Sequence, residues 1–242
     1  MPIRADAAAL ERLLQLQSED SSLDRGRRRL EELPERARLD KLEQQLEELS
    51  SDVVVAARHR DDIARVQDRL EQEISVLEQK LQREQQRMYS GQVGNPKELS
   101  NLQAEVDMLT RRRGGLEDEL LESMVARDAS VSTLQSLSSE HDELASSVSE
   151  LGMEVARLSG DIESDLEGHQ QARDELRSGL SQELVELYEK IRLAKGGVGA
   201  AALERGTCQG CHTKLPAREV ERLRAEGGLQ RCDNCRRILV VP

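Results

Sequence analysis

The sequence has no tryptophan and no phenylalanine, and only two of its 242 residues are tyrosine. Aromatic side chains supply much of the area that a globular core buries. Their absence argues against one or two ordinary globular domains. The abundant residues are leucine, glutamate, glutamine, arginine, alanine and serine. That composition is typical of long helices that bury only a narrow apolar stripe.

Long apolar runs are also missing. No run approaches the roughly 20 residues that a membrane-spanning helix needs, and the first residues lack the apolar stretch of a signal peptide. Cysteine is scarce, and all four cysteines lie in two C-x-x-C pairs, which in a reducing compartment indicate a metal site instead of disulfides. We therefore expect a cytoplasmic protein that has no membrane partner.

Charge is unevenly distributed along the chain. The formal net charge is −12, but from Arg205 onward eight Lys/Arg and four Asp/Glu give +4, which leaves −16 for residues 1–204. Because like charges repel, the acidic part should repel nucleic acids and acidic membranes. A nucleic-acid contact, if one exists, is expected in the C-terminal part.

Apolar residues recur at alternating spacings of three and four over most of the chain, which is the heptad pattern of helices that pair along a seam. The sequence predicts a mainly α fold, a long antiparallel coiled-coil helical hairpin over residues 1–195. Pro34 predicts a kink, with helix resuming near Ala37. The segment 90–96 predicts the interhelical loop, since it holds two glycines, an N-cap at Asn95 and Pro96 at the first helical position. Residues of the two arms should pair when their numbers add to about 185.

The seam has defects in its second arm. Polar residues occupy positions where apolar ones are expected, namely Arg113, Ser123, Arg127 and Ser130. Solvated seam residues are one interpretation and a functional hinge over 113–130 is the other. The sequence leaves the choice open.

A glycine- and alanine-rich joint over 196–204 leads to a small module over 205–242. Its cysteines have the spacing Cys208-x2-Cys211, twenty residues, Cys232-x2-Cys235. Two such turns complete a tetrahedron of thiolates, so the sequence predicts a C4 zinc ribbon with one structural Zn²⁺. Pro216 should open a short helix that carries Val220 and Leu223, and residues 238–241 should form a strand.

Other interpretations of these cysteines are weaker. Cys208 to His212 also matches the C-x-x-C-H pattern of haem attachment, but that would require export and would leave the second pair without a role. A thioredoxin-like dithiol would need a βαβ context, which is missing. His212 is interpreted as a neighbour of the site, since four cysteines already complete the ligand set.

Basic residues surround the cysteine pairs. Zinc ribbons often present such residues to phosphates, whereas the interspersed acids favour ordinary solvated charges. With no aromatic residue in the ribbon to stack on bases, any nucleic-acid binding should be electrostatic and salt-dependent. The tentative contact residues are Lys214, Arg218, Arg222, Arg224, Arg231, Arg236 and Arg237.

Catalytic motifs are not found. The sequence holds no P-loop, no dinucleotide-binding glycine pattern and no HExxH, and the loop 90–96 has no carboxylate that could hold a catalytic Mg²⁺. We therefore expect no enzymatic activity and no small-molecule substrate.

Several segments resemble the bacterial C4-type zinc-ribbon proteins with an N-terminal coiled-coil hairpin. The resemblance is carried by residues 187–192 (LYEKIR), 195–199 (KGGVG), the two cysteine turns and the turn at 95–99 (NPKEL). It implies a hairpin ending in a ribbon, with zinc ligands at Cys208, Cys211, Cys232 and Cys235. Relatives in this family have been tied to sigma-factor, secretion or flagellar partners and to RNA. Arg236 departs from the family pattern, in which glycine usually follows the last cysteine.

Two functional hypotheses follow. The first is a non-enzymatic zinc-binding adaptor or scaffold, regulatory in role, that binds transcription- or secretion-related protein partners through the hairpin. The second is a regulator that binds RNA or DNA mainly through the basic ribbon.

Overall fold

The computed structural model describes residues 5–91 and 93–241; residues 1–4, Gln92 and Pro242 lie outside the described residues, although the predicted hairpin, its loop and the ribbon include them. Helices α1 (Ala7–Glu31), α2 (Pro34–Tyr89), α3 (Pro96–Ser178) and α4 (Gln182–Ala194) come first. Strands β1 (Ala200–Glu204) and β2 (Thr207–Cys208), helix α5 (Ala217–Glu226), and strands β3 (Gln230–Arg231) and β4 (Ile238–Val240) follow. The predicted fold class, a helical hairpin followed by a small ribbon, is confirmed. None of the described helices is both long and apolar enough to span a bilayer.

Helix boundaries follow the local signals at two of the predicted places. The Asn95 side chain accepts a hydrogen bond from the backbone of Lys97 at 3.0 Å, which caps α3. Pro34 is the first residue of α2, so helix resumes three residues earlier than the sequence analysis expected. The reason is that the first helical position needs no backbone N–H donor, and proline suits it.

One helix boundary was not predicted. The apolar repeat predicts one continuous helix in the second arm up to Gly196, but α3 ends at Ser178 and α4 starts at Gln182. Gly179 is a poor helix former, and Ser181 adopts an extended backbone whose carbonyl accepts from the amides at positions 184 and 185. At this break, the carbonyl of Gly179 accepts a hydrogen bond from the Arg12 guanidinium at 3.0 Å.

The chain divides into two compact units. One comprises Arg38–Leu151, and the other comprises Met1–Ala37 together with Gly152–Pro242. Each unit has its own apolar contacts, described here in turn.

In the unit Arg38–Leu151, α2 and α3 pair in antiparallel fashion. Lys80 and Glu105 form an ion pair at 2.9 Å, and Arg87 and Glu98 form one at 3.2 Å. The residue numbers of each pair add to 185, the register predicted from the loop. Beside the Lys80–Glu105 pair, buried side chains form a small core at Leu81, Val106 and Leu109.

Farther along the same unit the seam becomes polar. Gln67 and Ser130 are buried, and the Arg127 guanidinium donates to the Gln67 side-chain oxygen at 3.2 Å. The Gln67 side-chain nitrogen is buried and has no hydrogen-bond partner among residues 5–91 and 93–241. Helix α3 is continuous through this stretch. The hinge hypothesis for 113–130 stays a prediction.

The other unit holds the ribbon, in which four strands form one sheet in the order β2-β1-β4-β3. β1 pairs with β4 in parallel and with β2 in antiparallel orientation, and β3 pairs antiparallel with β4. β1 lies within the predicted joint 196–204, so only residues before Ala200 act as a connection. Both faces of this strand are covered, since Ala200 is buried with residues of α1 and α4, and Ala201 and Leu203 are buried with the cysteines on the opposite face.

Candidate metal centre

The two cysteine turns share one backbone arrangement. The amide of His212 donates to the Cys208 carbonyl at 2.8 Å, and the amide of Arg236 donates to the Cys232 carbonyl at 2.8 Å. Both donors have left-handed backbones, with φ of 56° and 66°. This conformation folds each C-x-x-C segment back on itself, so that both of its sulfurs face the same side. The same conformation explains why glycine suits the position of Arg236 in the family pattern.

The four sulfur atoms of Cys208, Cys211, Cys232 and Cys235 all lie within 4.8 Å of one another. The sulfurs of Cys208 and Cys235 are 3.9 Å apart, as are those of Cys211 and Cys232. Zinc–sulfur bonds of about 2.3 Å in a tetrahedron give sulfur–sulfur edges of about 3.8 Å. The donor set therefore fits one Zn²⁺ ion, as the sequence predicted. When bound, the ion links the two turns and leaves no coordination position for a substrate.

The surroundings of the sulfurs differ between the two turns. Burial raises the pKa of the Cys208 thiol to about 12 and also raises that of Cys232. Hydrogen bonding to the Thr213 side chain lowers the pKa of Cys211 to about 6, with a smaller contribution from Asn234. Because zinc binds thiolates, metal binding must displace protons from the buried sulfurs. His212 is exposed and is not part of the sulfur cluster.

The two faces of the ribbon sheet pack against different parts of the same unit. On one face, Ala200, Ile238 and Val240 join a core with leucines of α1 and with Tyr188 of α4. On the other face, Leu203 and Leu239 pack with Leu223 of α5 and with Cys208 and Cys232. The sheet therefore lies between the cysteine turns on one face and helices α1 and α4 on the other.

A single glutamine joins α1 to the start of the sheet. The Gln17 side-chain oxygen accepts hydrogen bonds from the amides of Gly199 at 2.6 Å and Ala200 at 3.2 Å. Its side-chain nitrogen donates to the Gly197 carbonyl at 3.0 Å. Gln17 is buried, so these bonds replace water for three backbone groups and fix where β1 begins.

The family follows from comparison with known proteins. A family model described as the CT398-like coiled coil hairpin domain matches residues 16–196, well over half of the chain. This chain belongs to the CT398-like coiled-coil hairpin family. A second model, the C4-type zinc ribbon domain, matches residues 207–239 and includes all four cysteines.

Relatives of this family match the chain over nearly its whole length. The uncharacterized protein Rv2229c of Mycobacterium tuberculosis is 28% identical over 240 residues, which cover 98% of this chain and 97% of the relative. A solved structure from Mycobacterium smegmatis, 28% identical, has a TM-score of 0.82 and covers 98% of this chain and 100% of its own. The structure of CT398 from Chlamydia trachomatis, at 21% identity, covers 97% of this chain and 98% of its own. Its TM-score of 0.66 supports the shared fold.

In this member of the family, the tentative nucleic-acid residues lie in different surroundings. Six of the seven are exposed, whereas Arg237 is half-buried and donates to the backbone carbonyls of Val198 and Lys195, each at 2.9 Å. Arg222 pairs with Glu226 and Asp233, and Arg236 approaches Asp233 at 3.9 Å. Four cations pair with no carboxylate of the described residues: Lys214, Arg218, Arg224 and Arg231. Nucleic-acid contact by these residues stays a prediction, and the bonds of Arg237 give it a structural role.

Sequence reasoning missed a buried ionic cluster at the base of the hairpin. Asp20 is 1% exposed and accepts hydrogen bonds from Arg173 at 2.7 Å and from the Tyr188 hydroxyl at 2.6 Å. Arg192 donates to Asp24 at 2.6 Å, and Arg173 also pairs with Glu189. Burial and the bond to Asp20 raise the pKa of Tyr188 far above its ordinary value. A signal was present in α1, where Gln17, Asp20 and Asp24 recur at helical spacing beside its leucines.

Proposed function

We propose that this protein is a non-enzymatic zinc-binding adaptor that holds partner proteins through its helical hairpin. The zinc ribbon completes the base, while the exposed helix surfaces of the hairpin recruit the partner. The partner is expected to be a protein of the transcription or secretion machinery, in line with the family resemblance.

Large apolar side chains on the outside of the helices carry this proposal. Several are more than half exposed: Val55, Val76, Leu121, Val125 and Met153. Scattered exposed apolar residues are normal on a protein surface. Exposed apolar residues that neighbour one another on a helix, as Leu121 and Val125 do at a spacing of four, are instead typical of surfaces that receive another helix.

Site-specific photocrosslinking tests the proposal in cells. A crosslinking amino acid replaces, one at a time, Val55, Val76, Leu121, Val125 and Met153 in the full-length protein, and an exposed seam-distant residue such as Gln103 serves as the control. The adaptor hypothesis expects a specific protein crosslink at one or more apolar positions and none at the control. Crosslinks to no protein at any of the five positions would reject it.

Nucleic-acid binding through the ribbon is the second candidate. The observation that favours it is a set of four exposed cations that pair with no carboxylate in the described part of the chain, Lys214, Arg218, Arg224 and Arg231. Such cations attract phosphates without reading sequence.

The matched test changes all four unpaired cations to glutamine in zinc-loaded protein and compares it with R222Q, in which the changed arginine already has acidic partners. The hypothesis expects labelled RNA or DNA to bind at low salt, with an affinity that falls linearly on a log–log plot as salt rises. The quadruple variant should lose binding and R222Q should retain most of it. Equal binding by both variants, or no binding by the unaltered protein, would rule out this surface.

A further inference from the structure

One stretch of α3, residues 117–130, exposes most of its large apolar residues. Leu121, Met124 and Val125 are 59%, 50% and 71% exposed, whereas Leu120, the fourth large apolar residue of the stretch, is half-buried. They are spaced by three and one residues, which places them together on one outer surface of the helix. Ser123 and Ser130 lie toward the seam instead, and Ser130 is buried.

The seam at this stretch is mixed, since Leu120 is half-buried there while Ser130 is buried. Arg127 takes a seam position and uses its guanidinium to bind the Gln67 side chain. An ordinary two-helix coiled coil would place all of its large apolar residues inside. Here Leu121, Met124 and Val125 are on the outside, where a third helix could cover them. We name Leu121, Met124 and Val125 the outer triple.

The part of α3 that surrounds the outer triple is acidic. Within one helical turn on either side, residues 117–129 hold five carboxylates and one cation, Arg127, which is turned to Gln67. Asp118 lies three residues before Leu121, Glu122 three before Val125, and Asp128 four after Met124, so all three border the triple on the helix surface. These three carboxylates are exposed and pair with no cation of the described residues.

From this arrangement we infer that the outer triple is the docking site for a basic amphipathic helix of a partner protein. The inference deepens the adaptor proposal and rests on it. Apolar side chains of the incoming helix would cover the triple, and flanking lysines or arginines would meet Asp118, Glu122 and Asp128. A second copy of this chain is a poorer occupant, because a symmetric contact would bring the same acidic borders against each other.

A synthetic peptide probe tests the charge and the apolar stripe separately. The probe is a helical peptide of about three heptads with a leucine stripe flanked by lysines. Two matched peptides replace either the lysines with glutamates or the leucines with serines. Fluorescence anisotropy with zinc-loaded, full-length protein should detect binding of the leucine–lysine peptide and much weaker binding of both matched peptides.

Variants of the protein locate the site. L121Q/M124Q/V125Q should weaken binding of the leucine–lysine peptide by at least about tenfold, and glutamine keeps the helix favourable. D118N/E122Q/D128N should also weaken binding and should reduce its dependence on salt. The control V76Q changes an apolar residue that is 64% exposed elsewhere in the same unit, and it should bind like the unaltered protein. Circular dichroism confirms that each variant remains helical.

Several outcomes would overturn the inference. Equal binding of the serine–lysine peptide would mean non-specific attraction to acidic helices. Binding unaffected by L121Q/M124Q/V125Q would place the site elsewhere, and sedimentation that shows a dimer lost in this variant would identify a second copy as the occupant. In cells, crosslinks at Val55 or Val76 with none at Leu121 and Val125 would overturn this site while leaving the adaptor proposal standing. Crosslinks to acidic segments at Val125 would overturn the proposed chemistry of the partner.

Discussion

At the scale of single residues, the metal turns depend on one backbone angle in each. His212 and Arg236 follow the second cysteine of their pairs and both have positive φ. A side chain in the left-handed region costs roughly 1–2 kcal/mol, because Cβ approaches the following carbonyl. Arg236 bears this cost, and its ion pair with Asp233, which is exposed and 3.9 Å long, offsets little of it.

Replacing Arg236 with glycine should therefore stabilise the zinc-loaded ribbon by about 1 kcal/mol, after allowance for the greater freedom of glycine in the unfolded chain. Denaturant unfolding of the metal-loaded protein measures the change. R231G is the matched control, because Arg231 lies in the extended strand β3, where glycine should destabilise the fold. A ribbon less stable in R236G than in R231G would contradict this explanation.

Gln17 is the second residue with a large expected effect. Q17A removes the acceptor for the amides of Gly199 and Ala200 and leaves both buried without a partner. Each unsatisfied buried group costs about 1–3 kcal/mol, so the loss of stability should be about 2–4 kcal/mol. Thermal unfolding of Q17A and of the control Q15A, which changes an exposed residue two positions away, measures it. Equal stability of the two variants would show that water replaces the lost bonds.

At the scale of elements, the helices differ in how well their local signals predicted them. The capped start of α3 and the proline at the start of α2 followed rules that involve a few neighbouring residues. The break between α3 and α4 also had local signals, Gly179 and Ser181, but the apolar repeat runs through it and predicts continuous helix. Periodicity alone cannot detect a break that preserves the phase of the repeat.

The polar seam gives a prediction at the same scale. Q67L/R127L replaces both members of a partly buried polar contact with apolar groups and removes the Gln67 nitrogen that has no partner among the described residues. Replacement of both partners is neutral to stabilising, so the melting temperature followed by circular dichroism should stay the same or rise. R127L alone leaves Gln67 buried without its guanidinium partner and should be less stable than the double variant. A higher melting temperature for R127L than for Q67L/R127L would contradict this explanation of the polar seam.

Amide exchange along α3 decides between a solvated seam and a hinge. If residues 113–130 form a hinge, their amides should exchange faster than those around Leu102 and Leu151, which are buried seam residues of the same helix. Uniform protection along α3 would favour the solvated seam.

At the scale of the whole molecule, zinc acts on more than the ribbon. The glycine-rich joint predicts a separate module for the ribbon, whereas Ile238 and Val240 share a core with α1 and α4 inside one compact unit. The ribbon has few apolar residues of its own, so the metal must hold the cysteine turns and, through them, the sheet.

Removal of zinc should therefore reduce the protection of amides in α1 and α4 as well as in the ribbon. Hydrogen exchange followed by mass spectrometry, with and without a chelator, should show faster exchange in Ala200–Val240, Ala7–Glu31 and Gln182–Ala194. The unit Arg38–Leu151 should not change and serves as the internal control. Because the ligands bind as thiolates, acidification should release zinc with the same exchange pattern, and stability should fall as pH falls. Exchange changes confined to the ribbon would show that the shared core survives without the metal.

The sequence by itself determined the features that arise from near neighbours. Heptads specify helices that pair, Asn95 and Pro96 specify a turn and a helix start, and two C-x-x-C turns specify a zinc site. The tertiary structure decided the contacts between distant residues, such as Gln17 with Gly199 and Asp20 with Arg173. It also decided that Arg237 binds backbone carbonyls and that Ala200–Glu204 is a strand. The physical reason is that a local pattern selects a backbone conformation, whereas the partner of a buried polar group depends on the register in which distant segments pack.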